Sequence, residues 1–447
     1  MVINYVYDLI SHGNLRTHRW ADNMSGRLKQ IQDSIENHSA GYKFKYHIAE
    51  RLPLVLGISL GILSFFFLLL LSEGGDGHAA RAYWLAAKGY VESGKIYNYF
   101  PPYMYAPITI VVFIPYAFLQ FEVVFLIHSL SSIVASAGLA IITIRYIRNH
   151  SRVLTTIDRG LIFMFFICSS LSIPAYMQAQ INTHIALMIG IGFVALERDE
   201  QVANGVVFAG AALFKVIPAI YAIWQFHRQK YRATLASIVV GVSGLVFGVL
   251  LFGIETTRRY IFDVLLVRRN SEKLVGGVSP ESAIVTVKHP IGYLLPWADN
   301  TLLTIIAILI ITPVVAYVFQ TDSTESSTQT RILGMLVIII ASLSITPSYF
   351  YYIIYSMFPL ISAIYLIDEW ITKVLLSIGA SLTLTIFTAD DLAAVITALS
   401  IPDAIGSPVV DIAYALMSVM SLPLIGITFI CGGSVYFCYN MREQNSH

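Results

Sequence analysis

Long apolar runs, most of them near twenty residues, alternate along the chain with short polar segments. A helix of about 20 residues is what crosses the hydrocarbon core of a bilayer. The pattern predicts about ten spans, which fall at 53–72, 122–146, 160–178, 182–197, 233–254, 301–320, 331–347, 351–367, 371–388 and 409–437. The chain is therefore predicted to be an all-α polytopic membrane protein.

One further apolar segment, 203–226, is broken in its middle by Lys215 and Pro218. Basic clusters before and after it, at Arg145 to Arg159 and at Arg228 to Arg232, belong on the cytoplasmic side by the positive-inside rule. Alternation of spans then requires the segment to enter the membrane and return. We predict a pair of short helices or a re-entrant hairpin with Lys215 at its extracytoplasmic tip. The total becomes about twelve membrane-embedded helices.

This topology divides the chain into three regions. A cytoplasmic N-terminal segment covers 1–52, a transmembrane domain covers 53–440, and a cytoplasmic tail covers 441–447. The transmembrane domain carries two long outer loops, 73–121 and 255–300. The predicted location is the plasma membrane, with many passes and with both termini cytoplasmic.

Composition agrees with a membrane protein and excludes other classes. Hydrophobic residues make up 56% of the 447 residues and charged residues only 12%, which is too apolar for soluble domains. The net charge of +1 gives no sign of nucleic-acid binding. The three cysteines lie in apolar runs and indicate neither zinc nor redox chemistry. No cofactor is predicted.

The two outer loops carry the unusual polar and aromatic residues. Loop 255–300 breaks the positive-inside trend with a basic set, Arg258, Arg259, Arg268, Arg269 and Lys273. These side chains either hold an anionic ligand or pair with acidic neighbours in the same loop. Loop 73–121 holds an aromatic set, Tyr97, Tyr99, Phe100, Tyr103 and Tyr105. Its rings either stack on sugars or form an interfacial aromatic belt.

Three polar motifs are predicted to converge on one outer pocket. They are AQIN (179–182), FKVIP (214–218) and TPSYFYY (346–352). Placing a lysine in an apolar run costs about 2.5 kcal/mol or more, so Lys215 is a functional candidate, with snorkelling to the interface as the alternative. For Gln180 and Asn182, the alternative to a functional role is hydrogen bonding between helices, worth about 0.6 kcal/mol.

A carboxylate follows the first span, in the stretch LLSEGGDGHAARAYW (70–84). Asp76 stands at the outer end of a membrane segment, where it can act as a general base or as the N-cap of an interfacial helix. His78, two residues on, raises the alternative of a divalent metal site, but a third and a fourth ligand are not apparent.

These motifs, in this order, resemble glycosyltransferase family 87. The resemblance rests on an outer-loop Asp, a PPY element at 101–103, Gln-x-Asn, Lys-x-x-Pro and a late Thr-Pro-Ser-aromatic element, and it covers about residues 53–365. It implies the GT-C fold and a hexosyltransferase of the cell envelope. Such an enzyme moves mannose from a polyprenyl-phosphate donor to a glycolipid or lipid-linked glycan acceptor in the membrane. The reaction is inverting and extracytoplasmic.

The resemblance and the chemistry together assign roles. Asp76 is the predicted catalytic base, because a carboxylate can accept the proton of the acceptor hydroxyl. Cations suit the leaving phosphate, and the predicted donor-phosphate ligands are Lys215, Arg258 and Arg259. The predicted substrate contacts are Gln180, Asn182, Tyr103, Tyr352 and His289. Tyr352 stands near where the family typically has a histidine, and His289 is the proposed substitute.

Two other classes of protein fit the same composition. A secondary transporter or flippase of a lipid-linked or anionic solute also has many spans and a hairpin with a buried lysine. It should show an internal repeat with matching broken helices, and no such repeat is visible. A noncatalytic lipid-binding subunit would have no use for an acid, a lysine and an amide pair on one face.

Overall fold

A computed structural model describes residues 45–66, 77–150, 153–266, 284–346, 348–386 and 388–446. The chain divides into two units, Met1–Glu50 and Arg51–His447. Residues 45–50 are the described part of the first unit, and the second unit carries the candidate active site. The domain boundaries at 52 and 440 stay a prediction.

The first half of the described chain is helical. Its helices are α1 (Lys45–Phe66), α2 (His78–Ser93), α3 (Pro107–Phe118), α4 (Phe121–Asn149), α5 (Thr156–Cys168), α6 (Ser172–Met177), α7 (Asn182–Glu197), α8 (Gln201–Phe214), α9 (Tyr221–His227), α10 (Tyr231–Phe252) and α11 (Ile254–Arg259). A 3-10 turn, Ile217–Ile220, precedes α9, and a π-helical segment, Tyr260–Leu266, follows α11.

The second half adds more helices and one small sheet. Its helices are α12 (Lys288–Leu294), α13 (Asn300–Glu325), α14 (Thr328–Ile345), α15 (Ile354–Leu366), α16 (Trp370–Leu384), α17 (Ala389–Ala398), α18 (Asp403–Val419) and α19 (Leu422–Ser446). Strand β1 (Ile284–Val285) pairs antiparallel with strand β2 (Ser348–Tyr349). This pairing brings residues 284–285 of the segment 255–300 beside the TPSYFYY motif.

Six helices in the described part of the chain are long and apolar enough to cross a membrane, or seven if the bent pair α16 and α17 is one span. The six are α1, α4, α10, α13, α14 and α19. Shorter apolar helices stand at α3, α7, α8 and at Phe350–Leu366. The all-α membrane class is confirmed, and the total of about twelve embedded helices stays a prediction.

Two predicted spans are wrong as continuous helices. Span 160–178 is split into α5 and α6, since the backbone is extended at Ser169. Span 409–437 is split into α18 and α19, with an extended break at Met420. Pro423 lies in the first turn of α19, a position where a missing N–H costs nothing. Average hydropathy does not detect such breaks, because both flanking helices are apolar.

The predicted fold-back of the segment 203–226 is confirmed, and the side of the membrane on which its tip lies stays a prediction. The amide of Gln225 in α9 donates to Asn204 Oδ1 in α8 at 2.7 Å, and the rings of Phe208 and Tyr221 stack 4.6 Å apart. These contacts require α9 to run back alongside α8. The turn between them lies at Lys215, whose backbone is extended.

The ends of several helices are joined by ion pairs on the side of the membrane where α7 and α9 end. Arg228 Nη1 lies 2.8 Å from the buried carboxylate of Asp322, and Arg331 Nε lies 2.9 Å from Glu197. Asp322 also accepts a hydrogen bond from Thr330 Oγ1 at 3.0 Å. A buried carboxylate needs such partners, because an unpaired charge there would be costly.

Helices α14 and α15 form the centre of the core. In α14, 72% of the most apolar stretch is buried, against 11% in α10. Every residue of α15 is buried. Both α10 and α15 are strongly apolar, so their different burial is set by position: α15 is surrounded by protein, whereas α10 presents most of its surface outward, toward lipid.

Helices α16 and α19 pack closely through glycines, which leads to a stability prediction. A Cβ at Gly426 would lie 2.6 Å from the carbonyl oxygen of Gly379 and 2.8 Å from Thr383 N, whereas a Cβ at Gly432 of the same helix meets nothing within 4 Å. Gly426→Ala should therefore lower the free energy of unfolding by about 1 to 3 kcal/mol. The matched control, Gly432→Ala, should not. Thermal unfolding in detergent measures both, and equal midpoints would contradict the packing described.

Candidate active site

The centre of the site is Lys215, at the turn of the α8–α9 hairpin. Pro218 stops helix α8 from continuing, and Lys215 takes an extended conformation with φ −144° and ψ 132°. Its ammonium donates a hydrogen bond to Asn182 Oδ1 at 2.6 Å. It also lies 3.9 Å from the centre of the Tyr352 ring and 5.7 Å from that of Tyr351. The three motifs predicted to converge therefore do meet.

A chain of amides leads away from Lys215. Asn182 Nδ2 donates to Gln180 Oε1 at 2.5 Å, and Gln180 Nε2 donates in turn to Gln178 Oε1. Because an ammonium can only donate, Asn182 must turn its oxygen to Lys215, and this fixes the direction of each following amide. Ala179 adopts a left-handed conformation with φ 51°, strain of the kind that clusters at functional sites.

Three tyrosines form one wall of the site. Tyr355 OH donates to Asn182 Oδ1 at 2.8 Å, so this oxygen has two donors. The rings of Tyr352 and Tyr355 stack at 5.8 Å, and Tyr351 meets Tyr352 edge-on at 4.8 Å. Lys215 thus lies beside an amide oxygen and two phenol rings.

Comparison with known proteins decides the family. Residues 103–347 match the model of glycosyltransferase family 87, a stretch longer than half of the 447-residue chain. The chain belongs to glycosyltransferase family 87. No curated protein and no solved structure matches it.

Membership of family 87 makes the protein a membrane glycosyltransferase, hence an enzyme. It uses a sugar donor and an acceptor, so the transferase interpretation is supported over transport and over a noncatalytic subunit. The GT-C fold, the hexosyl and mannose specificity and the polyprenyl-phosphate dependence stay predictions. The matched stretch contains Gln180, Asn182 and Lys215 and ends at Pro347, just before the tyrosine wall.

Asp76 lies outside the described residues of this family 87 protein, as does Glu73. The residues that follow Asp76 are described. Helix α2 begins at His78 with Gly77 as its N-cap, and no side chain caps it. The alternative of Asp76 as a helix cap, like its predicted role as the base, lies outside the described residues. The amide N–H of Ala79 donates to the carbonyl oxygen of Gln178 at 3.1 Å, which joins the start of α2 to the amide chain.

Tyr103 lies in the core, and its predicted contact with substrate stays a prediction. It is 1% exposed, and its hydroxyl is 2.7 Å from Thr109 Oγ1. The rings of Tyr83, Tyr105 and Phe113 surround it. Burial raises the pKa of Tyr103 well above its usual value, so the phenol stays protonated.

The two arginines and His289 lie apart from the hydrogen bonds described around Lys215. Arg258 and Arg259 are exposed on α11, and Arg259 Nη1 donates to Asn98 Oδ1 at 2.6 Å. His289 is buried in α12. Just before this helix, Thr286 Oγ1 donates a hydrogen bond to the Ser344 carbonyl oxygen at 3.0 Å. Their roles in binding stay predictions.

Sequence reasoning missed a pair of histidines beside the amide chain, His128, which is buried, and His184, which is half-buried. The rings of His128 and His184 are 5.4 Å apart, and His128 Nδ1 is 3.2 Å from Tyr116 OH. Ser132 of the same helix as His128 donates to the Gln180 carbonyl at 3.4 Å. Gln178, Tyr351 and Tyr355 were also missed. Gln178 precedes Gln180 by two residues, and this polar alternation was the available signal.

Among the described residues, no group of three or more His, Cys, Asp and Glu side chains is placed to hold a metal ion. Metal independence of the family 87 enzyme remains a prediction.

Proposed function

We propose that this enzyme transfers mannose from a polyprenyl-phosphate donor to a glycolipid or lipid-linked glycan on the extracytoplasmic face, with inversion at the anomeric carbon. The observation that carries the proposal is the cluster at Lys215, where one cation, a row of amides and a tyrosine wall meet at a hairpin turn. A cation suits a phosphate, and amides and aromatic faces suit a sugar.

The donor phosphate binds at Lys215. Its ammonium lies beside Asn182 Oδ1 and the Tyr352 ring at the turn of the hairpin, and an ammonium donates hydrogen bonds to anionic oxygens. The phosphate gains negative charge as it leaves, and a fixed cation aimed at it stabilises the transition state more than the ground state. Arg258 and Arg259, exposed on α11, attract the anionic donor to the outer surface.

The sugar lies against Tyr352 and the amides of Gln180 and Asn182. Aromatic faces pack against the C–H face of a pyranose, while amides exchange hydrogen bonds with its hydroxyls. His289 is the proposed replacement for the histidine typical of the family and contacts the acceptor. This arrangement places the anomeric carbon between the phosphate at Lys215 and the start of α2.

Asp76 is the proposed general base. Its position in the chain supports this role. Ala79, three residues after Asp76, donates its backbone N–H to the carbonyl oxygen of Gln178, at the end of the amide chain. In the step, the acceptor oxygen bonds to the anomeric carbon, the bond from that carbon to the phosphate oxygen breaks, and the hydroxyl proton passes to Asp76. Attack opposite the leaving phosphate inverts the configuration, and no metal or other cofactor is needed for the balance.

The outer side is assigned from charge. Arg228 and Arg331 lie in ion pairs at the ends of helices on one side of the membrane, and the positive-inside rule makes that side cytoplasmic. Lys215, at the far end of the α8–α9 hairpin, then faces outward. The proposal places the protein in the plasma membrane with both termini in the cytoplasm.

The test is sugar transfer by the purified protein in proteoliposomes. With a polyprenyl-phosphate mannose donor and a glycolipid acceptor, we expect a mannosylated product whose anomeric configuration is opposite to that of the donor, without added metal. Polyprenyl-phosphate glucose and GDP-mannose are the matched donor controls and should be used at least about tenfold less well. Transfer from GDP-mannose alone would overturn the lipid-linked donor, and retained configuration would overturn the inverting step.

A further inference from the structure

Two serines of α4 donate hydrogen bonds to the main chain of the segment that carries the amide chain. Ser129 Oγ donates to the carbonyl oxygen of Tyr176 at 2.9 Å, and Ser132 Oγ donates to that of Gln180 at 3.4 Å. The two serines are three residues apart, so they lie on one face of α4. Residues 176–180 are thus attached to this helix at both ends.

A third serine of α4, Ser131, makes a contact with helix α7. His184 Nε2 lies 3.1 Å from Ser131 Oγ, and the Ser131 hydroxyl donates to the carbonyl oxygen of His128 at 2.8 Å. Because a hydroxyl has one hydrogen to donate, Ser131 accepts its second bond from the imidazole N–H. His184 follows Asn182 by two residues in the first turn of α7, so this bond holds the helix that begins with Asn182.

The turn between α6 and α7 has a conformation that needs support. Ala179 has φ 51°, in the left-handed region where its Cβ is unfavourable and where glycine is usual at the end of a helix. The backbone N–H of Ala179 donates to the Tyr176 carbonyl at 3.0 Å, and that of Gln180 donates to the Ala175 carbonyl at 2.8 Å. Strained conformations persist where the surrounding structure holds them. The hydroxyls of α4 meet the carbonyls on both sides of the strained residue.

Anchoring the main chain of Gln180 also places its side chain. Gln180 Oε1 accepts a hydrogen bond from Asn182 Nδ2, and the oxygen of the same Asn182 amide faces the ammonium at the hairpin turn. We propose that Ser129 and Ser132 are positioning residues that set sugar specificity, because they hold residues 176–180 so that both amides meet the donor sugar in one arrangement. The inference rests on the proposed function and extends it to a helix that contributes none of the proposed sugar contacts.

Removing the two hydroxyls tests the proposal. The double variant Ser129→Ala, Ser132→Ala should lower the ratio of kcat/KM for polyprenyl-phosphate mannose to that for polyprenyl-phosphate glucose about fivefold, because loosened amides distinguish the sugar hydroxyls less well. Inhibition by polyprenyl phosphate, which has no sugar, should stay within about twofold of the parental value. A purely structural role would reduce the active fraction and so lower both donors equally, without changing the ratio.

The matched control is the double variant Ser362→Ala, Ser434→Ala. Both serines are buried and belong to other helices, α15 and α19, and Ser434 donates to the Ile430 carbonyl of its own helix at 2.8 Å. This control should keep the parental ratio. An unchanged ratio in the Ser129→Ala, Ser132→Ala variant would overturn the positioning role.

Hydrogen–deuterium exchange tests the anchoring without any substrate, so the two proposals fail in different ways. Peptides covering 174–184 should exchange about tenfold faster in the Ser129→Ala, Ser132→Ala variant than in the parental protein, whereas the control variant should match the parental protein. Equal exchange in all three proteins would overturn the anchoring. Faster exchange in the first variant, together with no mannose transfer by the parental protein, would instead overturn the proposed function alone.

Discussion

Asp76→Asn is expected to lower the rate of sugar transfer by about 10² or more while leaving membrane insertion and donor binding at the parental level. Asparagine has nearly the same shape as aspartate but cannot accept the proton of the acceptor hydroxyl at neutral pH. The measurement is the transfer rate in proteoliposomes at saturating donor, with binding of polyprenyl phosphate followed in parallel.

Glu73→Gln is the matched control for the base, because it removes a second carboxylate three residues away in the chain. It should transfer at nearly the parental rate. If Asp76→Asn also does so over a pH series, Asp76 is not the base, and Glu73 and Asp263 become the next carboxylates to replace.

Lys215→Met is expected to lower kcat/KM for the donor by about 10² to 10³, with losses in both KM and kcat. The ammonium is proposed to meet the phosphate in the bound donor and the charge that grows on it in the transition state. The fold should survive, because Asn182 Oδ1 keeps the hydrogen bond from Tyr355. Removing a cation from an apolar segment also removes a cost of membrane insertion.

Lys88→Met is the matched control for the cation. Lys88 is on α2, outside the cluster at Lys215, and its Nζ lies 3.9 Å from Glu92 Oε1. Its replacement should leave donor KM unchanged. Polyprenyl phosphate should inhibit the parental enzyme and the Lys88→Met variant equally, and Lys215→Met much less. Equal inhibition of all three proteins would show that Lys215 does not bind the phosphate.

The sequence was sufficient to predict the parts of the site that depend on topology. A lysine followed by proline in an apolar run, between two basic clusters, predicted the turn at Lys215. The same alternation of spans placed Gln180, Asn182 and Tyr352 at one end of the membrane domain, and they do meet there. Charge and the length of apolar runs predict at which end of a span a residue lies, and this was enough to predict that these residues meet.

Tertiary packing decided what the sequence left open. Tyr103 and Tyr352 look alike in sequence, yet one is enclosed by other rings and the other faces Lys215. Recognising Tyr355 as a partner of Asn182 would have required knowing that a helix begins just after Tyr352. The breaks at Ser169 and Met420 escaped detection because the flanking helices are equally apolar.

The depth of Lys215 follows from the length of α8. Its 14 residues rise about 21 Å from the polar end at Asp199 and Glu200, whereas the hydrocarbon core is about 30 Å thick. In the proposed topology the cation therefore lies below the outer aqueous boundary, where bulk water is scarce. An activated sugar drawn to this depth is shielded from hydrolysis, so the acceptor hydroxyl competes with little solvent, and the hairpin's shortness favours transfer over wasteful breakdown of the donor.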